Sequence, residues 1–417
     1  METTSAQASA SPRRILIWLA FFAFALVGLS SGASGVLLPS LSAFYRVDNS
    51  VLGLLFFSST IGYLLSSFFS GLAVEMLGYR WTLILGAVMT VLGSFVFSLQ
   101  PPFALVLVMR ILTGVGAGIL ETALNAYITT LPRRTSILNN LHAFFGVGAL
   151  VGPLLATAIL ALNQGWNWVF FVLAVLNGLL LVGLMLFFPQ RRALTASEIQ
   201  ENEGQSIGKM LGAAFRMRII WIATLFLLFY VGVETNPGNW GYSFLTEWRH
   251  EGTIFAGWLI SGYWLGLTLG RFTQPRIFEH FGLGNVALLQ ACMAEAVAGI
   301  LLVWLIPFGA VAAFGLLLLG YGLGPIYPTI VALVPNLVPP RLVSSAIGFL
   351  VSLSIPGLAV LPWIAGILGQ AVGFWTLWPF TLLLIVAMLV FWLPLRSHNR
   401  QSAETTTQND EHISAQV

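Results

Sequence analysis

Six side chains capable of acid–base or hydrogen-bonding chemistry lie inside long apolar runs of this sequence. They are Arg110, Glu121, His142, Glu234, Arg271 and Glu295. A charged side chain at the centre of a bilayer costs about 2.5–3.5 kcal/mol on insertion scales, so such residues normally line a water-filled cavity or find a partner. A carboxylate in a cavity can accept a hydrogen bond from a hydroxyl group or hold a proton. These side chains therefore predict a polar chamber within an apolar protein.

The most regular of these patterns lies between residues 110 and 125. Arg110, Gly114, Gly118, Glu121 and Asn125 are spaced by 4, 4, 3 and 4 residues, which places them on one face of a helix. The glycines favour close helix packing, with Arg110 paired structurally. Glu121 and Asn125 together offer acceptors and a donor, so we expect these two residues to bind a polar substrate.

For three further residues the surrounding sequence says less about their role. His142 either bonds a substrate hydroxyl or shuttles a proton, or is a satisfied structural histidine. Tyr327 aligns with Glu121 through an internal repeat of 206 residues, so we expect both to face one site. For Glu295 a structural pairing, for instance with Arg271, is favoured over a role in transport.

A second candidate cluster surrounds a proline–glycine step. Glu234 comes just before Asn236, Pro237 and Gly238. The step predicts a break in the helix that frees backbone groups for a cavity. The nearby Trp240 suits a sugar, whose C–H faces stack on an indole, but an interfacial tryptophan of the aromatic belt explains it equally well.

The composition tells which elements must hold these residues. Of the 417 residues, 58% are hydrophobic and 8% are charged, and the mean hydropathy is +0.89. Soluble domains carry about 25% charged residues, so a soluble globule is excluded and lipid is the expected solvent. The one cysteine, Cys292, excludes an intramolecular disulfide and a cysteine-rich metal site.

Apolar runs of about 20 residues predict twelve transmembrane helices. They fall in two groups of six on either side of a polar stretch, at 15–38, 52–72, 82–99, 103–128, 138–162 and 168–188, and then at 219–238, 253–274, 283–306, 308–334, 342–369 and 375–395. The predicted fold is therefore an all-α membrane protein of two pseudo-symmetric six-helix bundles. The bundles occupy 15–189 and 219–396, joined by a cytoplasmic linker at 190–218, with cytoplasmic tails at 1–14 and 397–417.

The positive charges indicate the topology. With both termini in the cytoplasm, fourteen of the 18 basic residues fall inside, Arg46 and Arg249 fall outside, and Arg110 and Arg271 lie within spans. A shift by one helix would invert this ratio, so the positive-inside rule discriminates strongly. The basic residues therefore mark topology, and no nucleic-acid partner is expected.

The two halves also share a sequence pattern. A shift of 204 residues aligns several residues of the second span and its following loop with the eighth: Gly53, Gly62, Phe68, Glu75 and Gly78 meet Gly257, Gly266, Phe272, Glu279 and Gly282. A shift of 206 aligns Gly114, Gly116 and Gly118 with Gly320, Gly322 and Gly324. Aligned glycines and a loop glutamate indicate an ancient duplication, as in transporters built from repeats.

These features resemble the major facilitator superfamily of secondary transporters over the whole chain. The loop GLAVEMLGYR at 71–80 is similar to the motif of that family between helices two and three, although Met76 and Tyr79 depart from it. The fourth span, RILTGVGAG at 110–118, resembles the arginine-then-glycines pattern of the family. The resemblance implies structural or gating roles for Glu75, Arg80, Arg110 and Arg271, for Glu279, and for the glycines at 114 and 118.

Within the superfamily the chain most resembles the fucose permease-like sugar–proton symporters. The similar segments are ETALNAY at 121–127, LNNLHAF at 138–144, FYVGVE at 229–234, GRF at 270–272 and GPIYPT at 324–329. Those symporters carry an aspartate in the first helix, where this chain has SGVLLP at 34–39 and no carboxylate in the span. The resemblance implies that Glu121 or Glu234 would have to carry a coupling proton.

The function expected from the sequence is a monomeric secondary transporter that moves a sugar or sugar-like solute by alternating access, with protons as the coupling ion. Substrate contacts are expected from Glu121, Asn125, His142, Glu234, Asn236, Trp240 and Tyr327. The alternatives are a proton-coupled efflux pump for amphipathic compounds and a non-transporting membrane sensor. No Walker-type loop, nucleophile–base pair or metal motif is present, so no enzyme, cofactor or metal is expected. The compact loops suggest a bacterial inner membrane.

Overall fold

A computed structural model describes residues 3–129, 131, 134–189, 215–339 and 342–414 of the chain. In these ranges the regular elements are helices. Six come before the central gap: α1 (Thr3–Tyr45), α2 (Asn49–Leu52), α3 (Leu54–Ser98), α4 (Phe103–Thr129), α5 (Arg134–Ala161) and α6 (Asn167–Phe187). Eight follow it: α7 (Arg218–Ser243), α8 (Thr253–His280), α9 (Asn285–Leu305), α10 (Gly309–Leu323), α11 (Ile326–Leu337), α12 (Val343–Ser354), α13 (Gly357–Val372) and α14 (Leu377–Ser414).

These helices match the twelve predicted spans. Among the described residues eleven helical stretches are long and apolar enough to cross a membrane. The count is eleven because the second and third predicted spans form one continuous stretch, 49–98. Gly78, with φ 77° and ψ 161°, bends this stretch sharply, and a residue without Cβ adopts that backbone at least cost. Spans ten and eleven each consist of two helices, α10 with α11 and α12 with α13.

Helices pack mainly within their own half of the chain. In the first half, α3 lies along α4 and α6, and α1 lies along α5; in the second half, α10 packs on α8 and α9, and α14 packs on α7. Most of the linker predicted at 190–218 lies outside the described residues. The exposed surface of the spans is rich in large apolar side chains such as Phe68, Leu186 and Leu393, as the lipid-facing side of a bundle requires.

Glycine contacts confirm that the two halves repeat the same packing. A Cβ added to Gly62 would lie 2.1 Å from the carbonyl oxygen of Ile111, and one added to Gly266 would lie 2.1 Å from that of Leu317. Gly266 lies 204 positions after Gly62, and Leu317 lies 206 positions after Ile111. Small residues let two backbones approach this closely. The repeated glycines therefore fix α4 against α3, and α10 against α8.

The helix break predicted at Pro237 and Gly238 is wrong. Helix α7 runs through both residues to Ser243, and a π-helical turn, Phe244–Trp248, follows it. Proline removes one backbone donor from a helix, but neighbouring helices can accommodate that loss inside a membrane bundle. The irregular backbone is therefore located about two turns beyond the predicted position.

Candidate functional site

An ion pair lies in the second half of the chain at the depth where the two bundles meet. The guanidinium of Arg271 donates to the Glu234 carboxylate at 3.0 Å, and its Nε donates to the carbonyl oxygen of Gly324 at 3.1 Å. The Arg271 side chain is 23% exposed and that of Glu234 is 17% exposed. Both charges are therefore partly accessible while each neutralises the other.

The predicted pairing of Arg271 with Glu295 is wrong. The Glu295 carboxylate accepts a hydrogen bond from Gln274 at 2.6 Å, and Gln274 also donates to the carbonyl oxygen of Tyr321 at 3.0 Å. The thiol of Cys292 in turn donates to Gln274 at 3.0 Å. This network packs α9 against α8 and α10, so Glu295 is a structural residue inside the second bundle.

Two tyrosines hold the ion pair in place. The Tyr263 hydroxyl donates to the carbonyl oxygen of Glu234 at 2.5 Å. The Tyr230 hydroxyl donates to the carbonyl oxygen of Leu323 at 3.0 Å and lies close to the side chains of Glu234 and Arg271. Hydroxyls bonded to backbone on neighbouring helices restrict the rotation of α7 relative to α8 and α10. The acid and the base are thereby held at fixed positions.

Glu121 belongs to the first bundle, on α4. Its carboxylate lies close to the Tyr63 hydroxyl on α3. Tyr327 lies within electrostatic range of Glu121 on one side and of Glu234 and Arg271 on the other. That Glu121 and Tyr327 share a site stays a prediction, and the position of Tyr327 is compatible with it.

His142 and Asn125 complete the wall on the first-bundle side. The His142 side chain is exposed and lies within electrostatic range of Arg271 across the interface. Its ring meets Phe24 edge-on, with 5.4 Å between centroids. Asn125 is half-buried one helical turn beyond Glu121 on α4. We infer that Glu121, His142, Glu234, Arg271 and Tyr327 border one space between the bundles, and we name this space the central chamber.

Trp240 and Asn236 do not line the central chamber in this conformation. Trp240 is fully buried, its indole N–H donates to the carbonyl oxygen of Pro362 at 2.7 Å, and its ring packs against Phe56 and Phe374. Neither substrate stacking nor an interfacial position describes this tryptophan. Asn236 is also fully buried, and its amide has no partner among the described residues.

Tyr63, Tyr230 and Tyr263 were not predicted as site residues from the sequence. One signal that points to them is depth, because tyrosine in membrane proteins is concentrated at the two interfaces. These three lie well inside apolar runs, where a buried hydroxyl needs a partner. A tyrosine in the middle of a span therefore indicates a polar neighbour.

The bundles are closed at one end of the molecule. We call this the outer end; it carries the loops at 46–48, 99–102, 162–166 and 249–252. The Trp363 indole donates to the carbonyl oxygen of Ser50 at 3.0 Å, and the side-chain amide of Asn49 donates to Gln370 at 3.1 Å. These contacts hold the outer ends of the two bundles together.

The carboxylate of Asp48 organises the loop at this closure. It accepts hydrogen bonds from the Ser50 hydroxyl at 2.6 Å and from the Val51 backbone N–H at 2.8 Å, which caps α2. These bonds stabilise the charged form and hold the pKa of Asp48 below its usual value. The cap therefore positions Asn49 and Ser50, the two residues that contact α13.

The remaining motif residues lie at the opposite end. The Arg80 guanidinium donates to the carbonyl oxygen of Met185 at the end of α6, at 2.7 Å. Glu75 and Glu279 each precede by three residues a glycine with positive φ, which is 77° at Gly78 and 67° at Gly282. These two loops are therefore structural equivalents, as the 204-residue repeat predicts.

Gly35 is a sensitive point of the outer closure, and its replacement gives a first prediction. A Cβ at Gly35 would lie 2.0 Å from the carbonyl oxygen of Gly238 on α7. We expect Gly35→Val to push the outer ends apart. In a Phe56→Cys background, labelling by an impermeant maleimide from the outer side should rise at least about fivefold, since even a modest shift toward the open state exposes this position. The one native cysteine, Cys292, is buried and contributes little background.

The matched control is Gly178→Val, since nothing lies within 4 Å of a Cβ at Gly178. This substitution should leave labelling at position 56 unchanged. Equal labelling of the Gly35 variant and the unsubstituted background would show that the Gly35 contact does not hold the outer end closed.

Known proteins are similar to this chain in sequence. A family model described as Major Facilitator Superfamily matches residues 20–352. Bypass of stop codon protein 6 of Saccharomyces cerevisiae is 24% identical over 84% of this chain and 76% of its own length. The glucose/galactose transporter of Brucella abortus is 24% identical over 84% of this chain and 86% of its own length. The glucose/mannose transporter GlcP of Bacillus subtilis is 25% identical over 60% of this chain and 62% of its own length.

Solved structures share the fold. The nucleoside transporter NupG superimposes with a TM-score of 0.73 at 15% identity and covers 92% of this chain and 98% of its own. The E. coli fucose:proton symporter FucP superimposes with a TM-score of 0.61 at 20% identity. This superposition covers 90% of this chain and 97% of the FucP chain. At these identities the likeness describes the arrangement of the helices.

Proposed function

The chain belongs to the Major Facilitator Superfamily, and we propose that it is a secondary transporter for a sugar or a sugar-like polar solute, coupled to protons. The observation that carries the proposal is the position of Tyr327, which lies within electrostatic range of Glu121 of one bundle and of the Glu234–Arg271 ion pair of the other. Residues of both bundles would contact one solute, and a change in their relative position would release it.

The chemistry of the chamber suits a polyhydroxylated solute. Carboxylates accept hydrogen bonds, a guanidinium donates them, and tyrosine hydroxyls do both. A sugar hydroxyl is itself both donor and acceptor, so it can bridge such groups at several points. Relatives from Bacillus subtilis and Brucella abortus are named as glucose/mannose and glucose/galactose transporters. We therefore propose a hexose-sized solute.

Alternating access is the mechanism that we propose. Hydrogen bonds between the bundles at the outer end include those of Trp363 with Ser50 and of Asn49 with Gln370. Rocking of two rigid bundles about a site near the midplane would break these contacts and open the outer end. The glycine-mediated packing within each half supports rigid bundles, because most close backbone approaches lie inside a half.

We assign the coupling proton to Glu121. Glu234 has its charge compensated by Arg271 at 3.0 Å, whereas Glu121 forms no ion pair with the residues that the structure describes. A carboxyl group that must enter a closed chamber without a cation is more stable when protonated. Protonation of Glu121 would therefore accompany closure around the substrate.

Uptake by purified protein in proteoliposomes tests the proposal. We expect an inward proton gradient of about two pH units to drive accumulation of a radiolabelled hexose at least about tenfold above equilibrium, and a protonophore to abolish it. Glucose, galactose, mannose and fucose form the first panel, with nucleosides as competitors. Absence of any sugar uptake or counterflow, together with proton-driven extrusion of lipophilic amines, would contradict the proposal.

We further propose a bacterial cell membrane as the location, with both termini in the cytoplasm. The distribution of basic residues supports this orientation. The outer end, as defined above, would then face the periplasm or the medium, and the chamber would be open to the cytoplasm. Labelling of cysteines placed in the tails, in intact and in permeabilised cells, checks the orientation.

A further inference from the structure

A second polar cavity lies inside the first bundle, apart from the central chamber. It has a volume of about 90 Å³ and is enclosed by α1, α3, α4 and α6. Its wall carries hydroxyl groups, among them those of Ser34, Ser59 and Ser94, together with Asn177 and the guanidinium of Arg110. The transport mechanism proposed above uses none of these residues.

Arg110 is an unpaired charge in this cavity. Its Nε is buried and has no hydrogen-bond partner among the described residues. The ion pair found among those residues joins Arg271 to Glu234 and does not include Arg110. Glu121 is the one carboxylate in the first six predicted spans. It lies eleven residues further along α4, a distance of about 16 Å at about 1.5 Å per residue. No carboxylate of the first bundle can therefore neutralise Arg110 directly.

The sequence-based expectation of a structural pairing for Arg110 is thus wrong within the described residues. In the second bundle the membrane-embedded arginine is compensated by a carboxylate. In the first bundle Arg110 has no such partner among the described residues, although buried charges are normally paired or hydrogen-bonded. An ion from outside the chain can supply the compensating charge.

The neighbours of Arg110 can supply donors to an anion. Ser59 and Ser94 form no hydrogen bond with the described residues, so their hydroxyl protons are free to point into the cavity. The amide of Asn177 uses one of its two N–H groups for the carbonyl oxygen of Leu173, at 2.8 Å. One N–H group therefore remains. Together with the guanidinium, these groups form a set of donors around one space.

The size and the surroundings of the cavity limit the ligand. A volume of about 90 Å³ equals that of about three water molecules in the liquid, at about 30 Å³ each. It therefore fits one monatomic anion with one or two waters and is too small for a sugar. On the side toward the outer end, the adjoining space at Arg110 is lined by apolar side chains such as Leu38, Phe56 and Phe97. Apolar side chains therefore border Arg110 on that side.

We propose that the first bundle binds a small monovalent inorganic anion of the chloride class, held by Arg110, Ser59, Ser94 and Asn177. The anion neutralises Arg110 and ties α4 to α3 and α6. It is a site separate from the central chamber, and it stabilises the first bundle in every stage of transport. Its existence does not depend on the identity of the transported solute.

Thermal unfolding of the purified protein with chloride as the probe tests this site. Chloride replaces gluconate at constant ionic strength, because gluconate is too large for the cavity. We expect the unfolding midpoint of the unsubstituted protein to rise with chloride, since a ligand that binds only the folded state stabilises it. Arg110→Gln should lose this dependence. Ser94→Ala should shift the half-saturating concentration upward at least about threefold, as loss of one hydrogen bond to a charged group requires.

Two controls keep the test decisive. Glu295→Gln, in the second bundle, should keep the full chloride response. Should Arg110→Gln fail to fold, crystals of the unsubstituted protein grown in bromide decide, with an anomalous peak expected within hydrogen-bonding distance of Arg110. An unfolding midpoint independent of chloride in the unsubstituted protein, an unchanged response in Arg110→Gln, or a bromide-free cavity would each overturn the proposal and leave a water-filled cavity.

Discussion

Glu234→Gln is expected to abolish accumulation of substrate and to lower the free energy of unfolding by about 3 kcal/mol. Removing one partner of a buried ion pair leaves the other charge uncompensated, which typically costs about 3–5 kcal/mol. We expect the lower end of this range because the Arg271 side chain is 23% exposed and water in the chamber offsets part of the loss. Arg271 would keep its bond to the carbonyl oxygen of Gly324. Transport in proteoliposomes and thermal unfolding measure the two effects.

A double-mutant cycle separates the pair from its surroundings. Arg271→Gln alone should cost as much as Glu234→Gln, and the double variant should recover at least half of that loss, because no unpaired charge remains. Glu295→Gln is the matched control, since Glu295 bonds to Gln274 and not to a cation. Additive costs in the double variant would contradict a direct contribution of the ion pair to stability.

Glu121→Gln is expected to eliminate proton-driven accumulation while sugar counterflow stays within about threefold of the unsubstituted protein, a difference below 1 kcal/mol. The side chains have nearly the same shape, so contacts to a bound solute and to Tyr63 can persist, but glutamine cannot exchange a proton. Little change in stability is expected, because Glu121 forms no ion pair among the described residues. Accumulation under an imposed pH gradient and counterflow without one are measured on the same proteoliposomes.

Glu295→Gln again provides the control, as the same substitution at a carboxylate outside the chamber, and should leave both activities unchanged. Loss of counterflow together with accumulation in Glu121→Gln would assign this carboxylate to substrate binding instead of proton exchange. If both activities persist, Glu121 has no part in transport.

Substitutions of Glu234 and of Glu121 are expected to have different effects, because the two carboxylates have different neighbours. Glu234 is fixed by Arg271 and by the Tyr263 hydroxyl, so its removal should act on both stability and transport. Glu121 has a tyrosine as its neighbour and no cation, so its removal should act on coupling. Tyr327 lies within electrostatic range of both carboxylates.

The sequence by itself determined the fold class, the spans and the repeat. Span length follows from the thickness of a bilayer, and the aligned glycines follow from the close approach of two backbones, so both are written in local patterns. Glu121, Glu234 and Arg271 were recognisable for a similar reason, because a charge in an apolar run is costly wherever it lies.

Only the tertiary structure decided which of these groups meet. Arg271 pairs with Glu234 and not with Glu295, Trp240 is buried in the outer closure, and Arg110 has no partner among the described residues. Each outcome depends on how a helix is rotated about its axis and on which neighbour it faces. Periodicity places residues on a common face of one helix but does not say which residues of another helix that face will meet, since this depends on the packing of all helices together.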